Sequence, residues 1–177
     1  MENQNNTVSH LAMTYGLYMG LALVLNAVIF YVMNVPFSIA SGYISYAIII
    51  AGIALVMRTY RETHLEEGVT YGKALGIGTL TSLFASLILA FFTFVLFKII
   101  DKALIDKFLS FLEEQFIRSG MSETQTDTFM PLYRKILTPL TYSLGIIFSI
   151  SMNGFVFSLI LAIFFKRQST NPFHGVE

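Results

Sequence analysis

The sequence predicts an all-α fold, an integral membrane four-helix bundle in which an amphipathic helical connection joins the third and fourth transmembrane helices. Three observations carry this. Hydrophobic residues fill 55% of the 177 positions and charged residues only 12%, roughly half the charged share of a soluble domain. The eleven basic and eleven acidic residues avoid three blocks altogether, Leu11 to Met57, Ala74 to Phe97 and Leu137 to Phe165. Those blocks supply four apolar stretches of the length, ~20 residues, that an α-helix needs to cross a hydrocarbon core of about 30 Å. The chain thus reads as a single membrane domain over residues 1–177.

The first span is expected over residues 11–33. The preceding segment MENQNNTVSH holds no lysine or arginine, and the apolar stretch is longer than the ~7–15 residues of a signal-peptide core, so this helix is expected to be retained. Asn34-Val35-Pro36 divides it from the second span, residues 37–57. Pro36 cannot continue a helix and restrains the residue before it, which predicts a tight helical hairpin. The third span covers residues 71–100 and the fourth residues 139–165; both exceed a minimal crossing and should tilt or project. Thr138-Pro139 offers a capping hydroxyl followed by proline at the first helical position.

Residues 101–137 form the extramembrane connection. Leu104, Phe108, Leu112 and Phe116 recur every four residues, flanked by Ile105, Leu109 and Phe111, with Asp101, Lys102, Asp106, Lys107, Glu113, Glu114 and Arg118 between them. That is an amphipathic helix with a broad apolar face. Ser119-Gly120 stops it, and Ser122-Glu123-Thr124-Gln125 is a capping-box start for a second short helix, which Pro131 is expected to interrupt. The apolar face should lie on the lipid interface or across the ends of the spans; a docking surface or a lid over a polar cavity is the sharper alternative.

In lipid, helices associate through close van der Waals approach and interhelical hydrogen bonds, which small residues at four-residue spacing permit. Gly16 and Gly20 have that spacing in the first span, Gly72 and Gly76 in the third. The third continues it with Gly78, Ser82, Ser86 and Ala90, and the fourth offers Gly154, Ser158 and Ala162. All are expected to be helix-packing positions, within the chain or in a homo-oligomer. The phrase T-Y-G-x-x-x-G occurs twice, at Thr14 and at Thr70, and is expected to mark two places where backbones touch at equivalent depths. A parallel duplication of the hairpin would also produce it, as would placement of Tyr15 and Tyr71 at headgroup level.

Chemistry is sparse. Ionisable residues deep in a span would suggest a functional pathway, and the spans contain none. Asn26 and Asn153 are the candidates for intramembrane polar contacts, with Ser149, Ser151 and Thr81 as weaker company; a buried Asn commonly bonds to a neighbouring helix. His64 with Glu66 and Glu67 could in principle ligate a metal, but the run RTYRETHLEEG reads as a solvated charged loop. No serine or aspartate is tied by spacing to a histidine, no glycine-rich phosphate loop is present, and cysteine is absent. No catalytic residue, metal site or cofactor is therefore expected. Zero net charge without a basic stripe gives no case for nucleic acid.

Four crossings put Arg58, Arg61, Lys73, Lys166 and Arg167 on the side of the termini, close to helix ends, and Lys98, Lys102, Lys107, Arg118, Arg134 and Lys135 on the other, spread along a long connection. That density, with the uncharged turn at Asn34 to Pro36, favours cytoplasmic termini.

Tyr60-Arg61-Glu62, Gly68-Val69-Thr70-Tyr71-Gly72-Lys73-Ala74, Gly120-Met121-Ser122-Glu123-Thr124-Gln125 and Thr138-Pro139 give the chain a resemblance, over nearly its whole length, to the family catalogued as domain of unknown function 4199, found chiefly in Bacteroidota. The resemblance implies a small multi-pass protein of the bacterial inner membrane and no established activity, substrate or catalytic residue. The expected role is accessory or scaffolding, with the lipid bilayer, a second copy or another membrane protein as partner. The alternative is a small transporter or channel subunit with a path between helices or protomers. A dry bundle would favour the first and a polar cavity reaching mid-membrane the second.

Overall fold

The computed structural model describes residues 2–63 and 69–165, leaving aside the side chains of residues 2–7 and of Glu123. His64, Glu66, Glu67, Lys166 and Arg167 lie outside the described residues. Six α-helices account for most of what is described: α1 (Glu2–Val32), α2 (Ile39–Thr63), α3 (Tyr71–Val95), α4 (Leu104–Arg118), α5 (Glu123–Ile136) and α6 (Pro139–Phe165). Among the described residues, four helices are long and apolar enough to cross a membrane: Val8–Val32, Ile39–Thr63, Tyr71–Ile100 and Pro139–Phe165. The chain is an all-α membrane protein, with α4 and α5 connecting the third span to the fourth.

Local chemistry sets the boundaries. Asn34 takes the left-handed conformation (φ 59°) that turns α1 into α2. α2 runs past the expected end at Met57 to Thr63 because buried Tyr60 anchors the extra turn and Arg58 pairs with Glu62 at 2.8 Å. Thr70 Oγ1 accepts from Lys73 N at the start of α3. The last turn of that span, Leu96–Ile100, widens into a π-helix, closed by Asp101 N donating to Leu96 O at 2.8 Å. Gly120 (φ 93°) ends α4, with Met121 N bonding to Phe116 O and Gly120 N to Ile117 O, the double bond of a Schellman stop. Ser122 and Gln125 form the capping box of α5, and Thr138 Oγ1 caps α6 at Thr141 N. Pro131 does not interrupt α5. Pro131 and Asp127, whose carbonyl loses its partner, are both exposed, so that carbonyl can find a partner in water.

α3 is the centre of the bundle, packed along α6 on one side and α1 on the other, while α2 lies against all three. The α1–α3 seam is parallel. A side chain at Gly16 would meet Phe84 Cβ at 2.6 Å and Thr81 O at 3.0 Å, and one at Gly20 would meet Ile88 Cβ at 2.9 Å and Ala85 O at 3.2 Å. The α3–α6 seam is antiparallel: Gly78 faces Ser158, Ser82 faces Gly154, and Ser86 Oγ lies 3.3 Å from Ser151 Oγ. Gly52, on α2, takes the side chain of Met19, with Sδ 2.5 Å from where a Cβ would stand.

Gly72 and Gly76 are corrections. Neither has an atom within 4 Å of a would-be Cβ, so they pack against no other helix of the same chain. The two T-Y-G phrases also sit at different depths. Gly16 is level with residues 81–85 of α3, so the phrase in α1 lies about ten residues, or ~15 Å of helix rise, beyond the one that opens α3. The tyrosines do share one habit: Tyr15 OH lies 2.7 Å from Thr59 Oγ1 of α2, and Tyr71 OH donates to Leu159 O of α6 at 3.1 Å. Each therefore ties its helix to the next span in the chain.

Candidate functional site

Two apolar clusters divide the bundle. The larger runs through the end nearest the chain termini, around Met19, Ile53, Met57, Tyr60, Ala74, Ile77 and Ala162. The smaller, at the opposite end, gathers Leu96, Phe97 and Leu104 with Tyr31, Phe37, Phe92 and Tyr142. Between them, among α1, α2, α3 and α6, lies a cleft of about 340 Å³.

The cleft exists because α2 is seated at only one end. Its buried residues are Ile49, Ile53, Val56, Met57 and Tyr60, and none precedes Ile49. On this half α2 has no ridge of small residues meeting a complementary one, and its link to α1 is polar. Asn26, 6% exposed, donates from Nδ2 to Ser41 O (3.2 Å), Ser41 Oγ (3.1 Å) and Ser45 Oγ (3.0 Å), while Ser45 Oγ donates to Ser41 O at 2.9 Å. Among the described residues Asn26 Oδ1 accepts no hydrogen bond.

Asn153 and Ser149 line the α6 side. Asn153 does not bond across to another helix; Nδ2 donates to Ser149 O at 2.8 Å, one turn back on its own helix. A side-chain amide with no polar group in reach opposite takes the i−4 carbonyl instead. Thr93 Oγ1 also bonds within its helix, to Leu89 O at 2.8 Å. The lining contains no acidic, basic or histidine side chain.

One end of the cleft is roofed by aromatic rings. Phe97 stacks on Tyr142 with centroids 4.7 Å apart, Phe108 of α4 meets Tyr142 edge-on at 4.8 Å and Phe37 at 5.0 Å, and Phe37 meets Phe97 at 6.2 Å. Leu104 of α4 is fully buried beside them, while Asp106 and Lys107 are exposed. At the other end Ile49 and the edge contact of Tyr46 with Phe157 (6.0 Å) bring α2 back against α6. The remaining side lies between the two helices. Gly42 and Tyr46 on one lip and Ser149 on the other are exposed, and Gly42 has nothing within 4 Å of a would-be Cβ.

Sequence patterning singled out Asn26 and Asn153 but not Ser41, Ser45 or the aromatic roof. The serines follow a polar i, i+4 spacing in α2, two positions that face Asn26 across an antiparallel hairpin. The roof joins residues far apart in sequence and leaves no local signature. Among the described residues, no group of three or more histidine, cysteine, aspartate or glutamate side chains could hold a metal.

No curated protein and no solved structure matches this chain. The family described as "Protein of unknown function (DUF4199)" matches residues 14–167, a stretch that holds most of the first span, the other three spans, the hydrogen-bonded asparagines and the roof. The chain belongs to that family.

Proposed function

We propose that this protein is a non-enzymatic accessory or scaffolding protein of the bacterial inner membrane, assembled with a second copy or with another membrane protein. The observation that carries the reading is the form of the cleft. It is bounded at one end by the aromatic roof and at the other by Ile49 and the Tyr46–Phe157 contact that brings α2 back against α6, an arrangement suited to holding a shape rather than passing a solute across. The lack of acidic, basic and histidine groups in the lining argues in the same direction, because proton and ion pathways through a membrane use such groups. Cytoplasmic termini are supported by Arg58, Arg61 and Lys73 near the helix ends on that side; alkaline phosphatase fused at Gly120 should then be active, and activity only in a C-terminal fusion would reverse the orientation.

The second reading, a transporter or channel subunit, is favoured by the polar groups of Asn26, Asn153 and Ser149 at mid-span. Extraction into polymer-bounded native membrane discs followed by intact-mass measurement separates the two. The accessory reading expects a complex of fixed stoichiometry. A lone chain in the discs, together with solute flux in liposomes holding only this protein, would replace it with the transporter reading.

A further inference from the structure

We infer that the cleft is a binding site for an uncharged, hydroxyl-bearing membrane lipid of the acylglycerol type, admitted sideways from the bilayer between α2 and α6. Its volume, about 340 Å³, falls within the range of small-molecule sites, which are mostly apolar with a few convergent polar groups. The polar groups here are mismatched in a way that points to a ligand. Asn26 is more than nine-tenths buried and lines the cleft, yet all its bonds to α2 leave from Nδ2, so Oδ1 remains an acceptor without a donor. Half-buried Asn153 repeats the one-sided bonding across the cleft, with Nδ2 committed to Ser149. Both residues line the cleft, and in lipid there is no bulk water to supply a donor to either oxygen.

Two acceptors facing a common space call for a ligand hydroxyl. The hydroxyls of Ser41 and Ser149, which serve as acceptors for the two asparagines, keep their own hydrogens to offer an ester carbonyl. An anionic headgroup would find no counter-charge in the lining, so the ligand is neutral. The route follows from what is closed and what is open. Phe37, Phe97, Phe108 and Tyr142 cover the end beneath α4, whereas Gly42 and Ser149 edge an opening between two membrane-spanning helices. Acyl chains can stay in the bilayer while the glycerol end enters.

The test uses 1,2-dioleoylglycerol with a photoactivatable diazirine beside the ester carbonyl of one acyl chain, presented to the full chain in phosphatidylcholine nanodiscs, with labelled peptides located by mass spectrometry. Labelling should concentrate on residues 39–49 and 146–153 and should fall with excess unlabelled dioleoylglycerol but not with dioleoyl phosphatidic acid. Asn26→Leu removes an acceptor but also a tie to α2, so two further variants keep the fold: Asn153→Leu, whose amide bonds only within α6, and Gly42→Phe, which fills an open lip. Asn153→Leu should lower the competed labelling about fivefold, the worth of roughly one hydrogen bond, and Gly42→Phe at least as much because its ring occupies the opening, each with thermal stability unchanged. Labelling spread evenly over the lipid-facing helices, equal competition by phosphatidic acid, or full labelling in both N153L and G42F would each overturn the inference.

Discussion

The C-terminal half of α2 buries Ile49, Ile53, Val56, Met57 and Tyr60, whereas its N-terminal half, from Ile39 to Ile48, buries no residue and is tied to α1 by the Asn26 amide. Apolarity does not separate them, since the half that is buried is the one that also carries Arg58, Arg61 and Glu62. The difference lies in what faces them. Opposite the first, Gly78 lets Ile53 and Met57 approach α3 to within 3.0 Å and 2.7 Å of a would-be Cβ, and Gly52 admits Met19. Opposite the second there is no such ridge, and an asparagine reaching to two serines holds the helices apart at side-chain length. In lipid, where apolarity alone gives helices little reason to touch, small residues decide where a bundle closes and polar tethers decide how far it opens.

This contrast can be broken most forcefully at the closed end. Gly154→Leu drives a side chain into Ser82, and Gly78→Leu into Ser158 and Met57; each should cost about 3 kcal/mol or more, at the upper end of overpacking effects, or prevent folding outright. Gly76→Leu, at a position with nothing within 4 Å of a would-be Cβ, should stay within about 0.5 kcal/mol of the parent. Unfolding in mixed micelles of rising dodecyl sulfate fraction measures both, and equal losses at Gly76 and Gly154 would dissolve the distinction between seam and surface. A smaller effect is expected at the open end. Asn26→Leu should cost about 1 kcal/mol, typical of a polar contact between membrane helices, and a double-mutant cycle with Ser45→Ala should show most of that loss as coupling. Additive losses would mean that the amide does not tether α2. The smallest effect has the opposite sign. Ser158 Oγ is fully buried and, among the described residues, has no hydrogen-bond partner, so Ser158→Ala should be neutral or stabilise by up to about 1 kcal/mol. A loss above that would reveal a bond the hydroxyl makes with α3.

The four spans and the connection were legible because lipid imposes a crude rule, long charge-free runs, that any sequence must obey. The ridge Gly78, Ser82, Ser86 and its counterpart Gly154, Ser158 were legible for a similar reason, since four-residue spacing maps onto one helical face. Gly72 and Gly76 share that spacing, yet within the chain the face they occupy meets no described neighbour. Spacing identifies a face without saying what lies across from it. Gly52 escaped notice because it pairs with a single methionine rather than with another glycine. The cleft was hidden more deeply. It depends on α2 being packed closely at one end and only tethered at the other, a property of several helices at once, and its roof draws on the turn before α2, the end of the third span, α4 and the start of α6.

The π-turn at Leu96–Ile100 bears on that roof. A wider turn takes up one residue more than the α-helix it replaces, and in an α-helix each residue advances the chain by about 100° around the axis. Because the wide turn absorbs that residue, Asp101 leaves it in register; removing a residue from the regular α-helix before it would instead rotate Asp101 and everything leading into α4 by that angle and swing Phe108 away from Phe37 and Tyr142. The aim of the cap over the bundle is thus written in a count of residues, and a shortened third span would uncover the chamber even with every ring still in the chain.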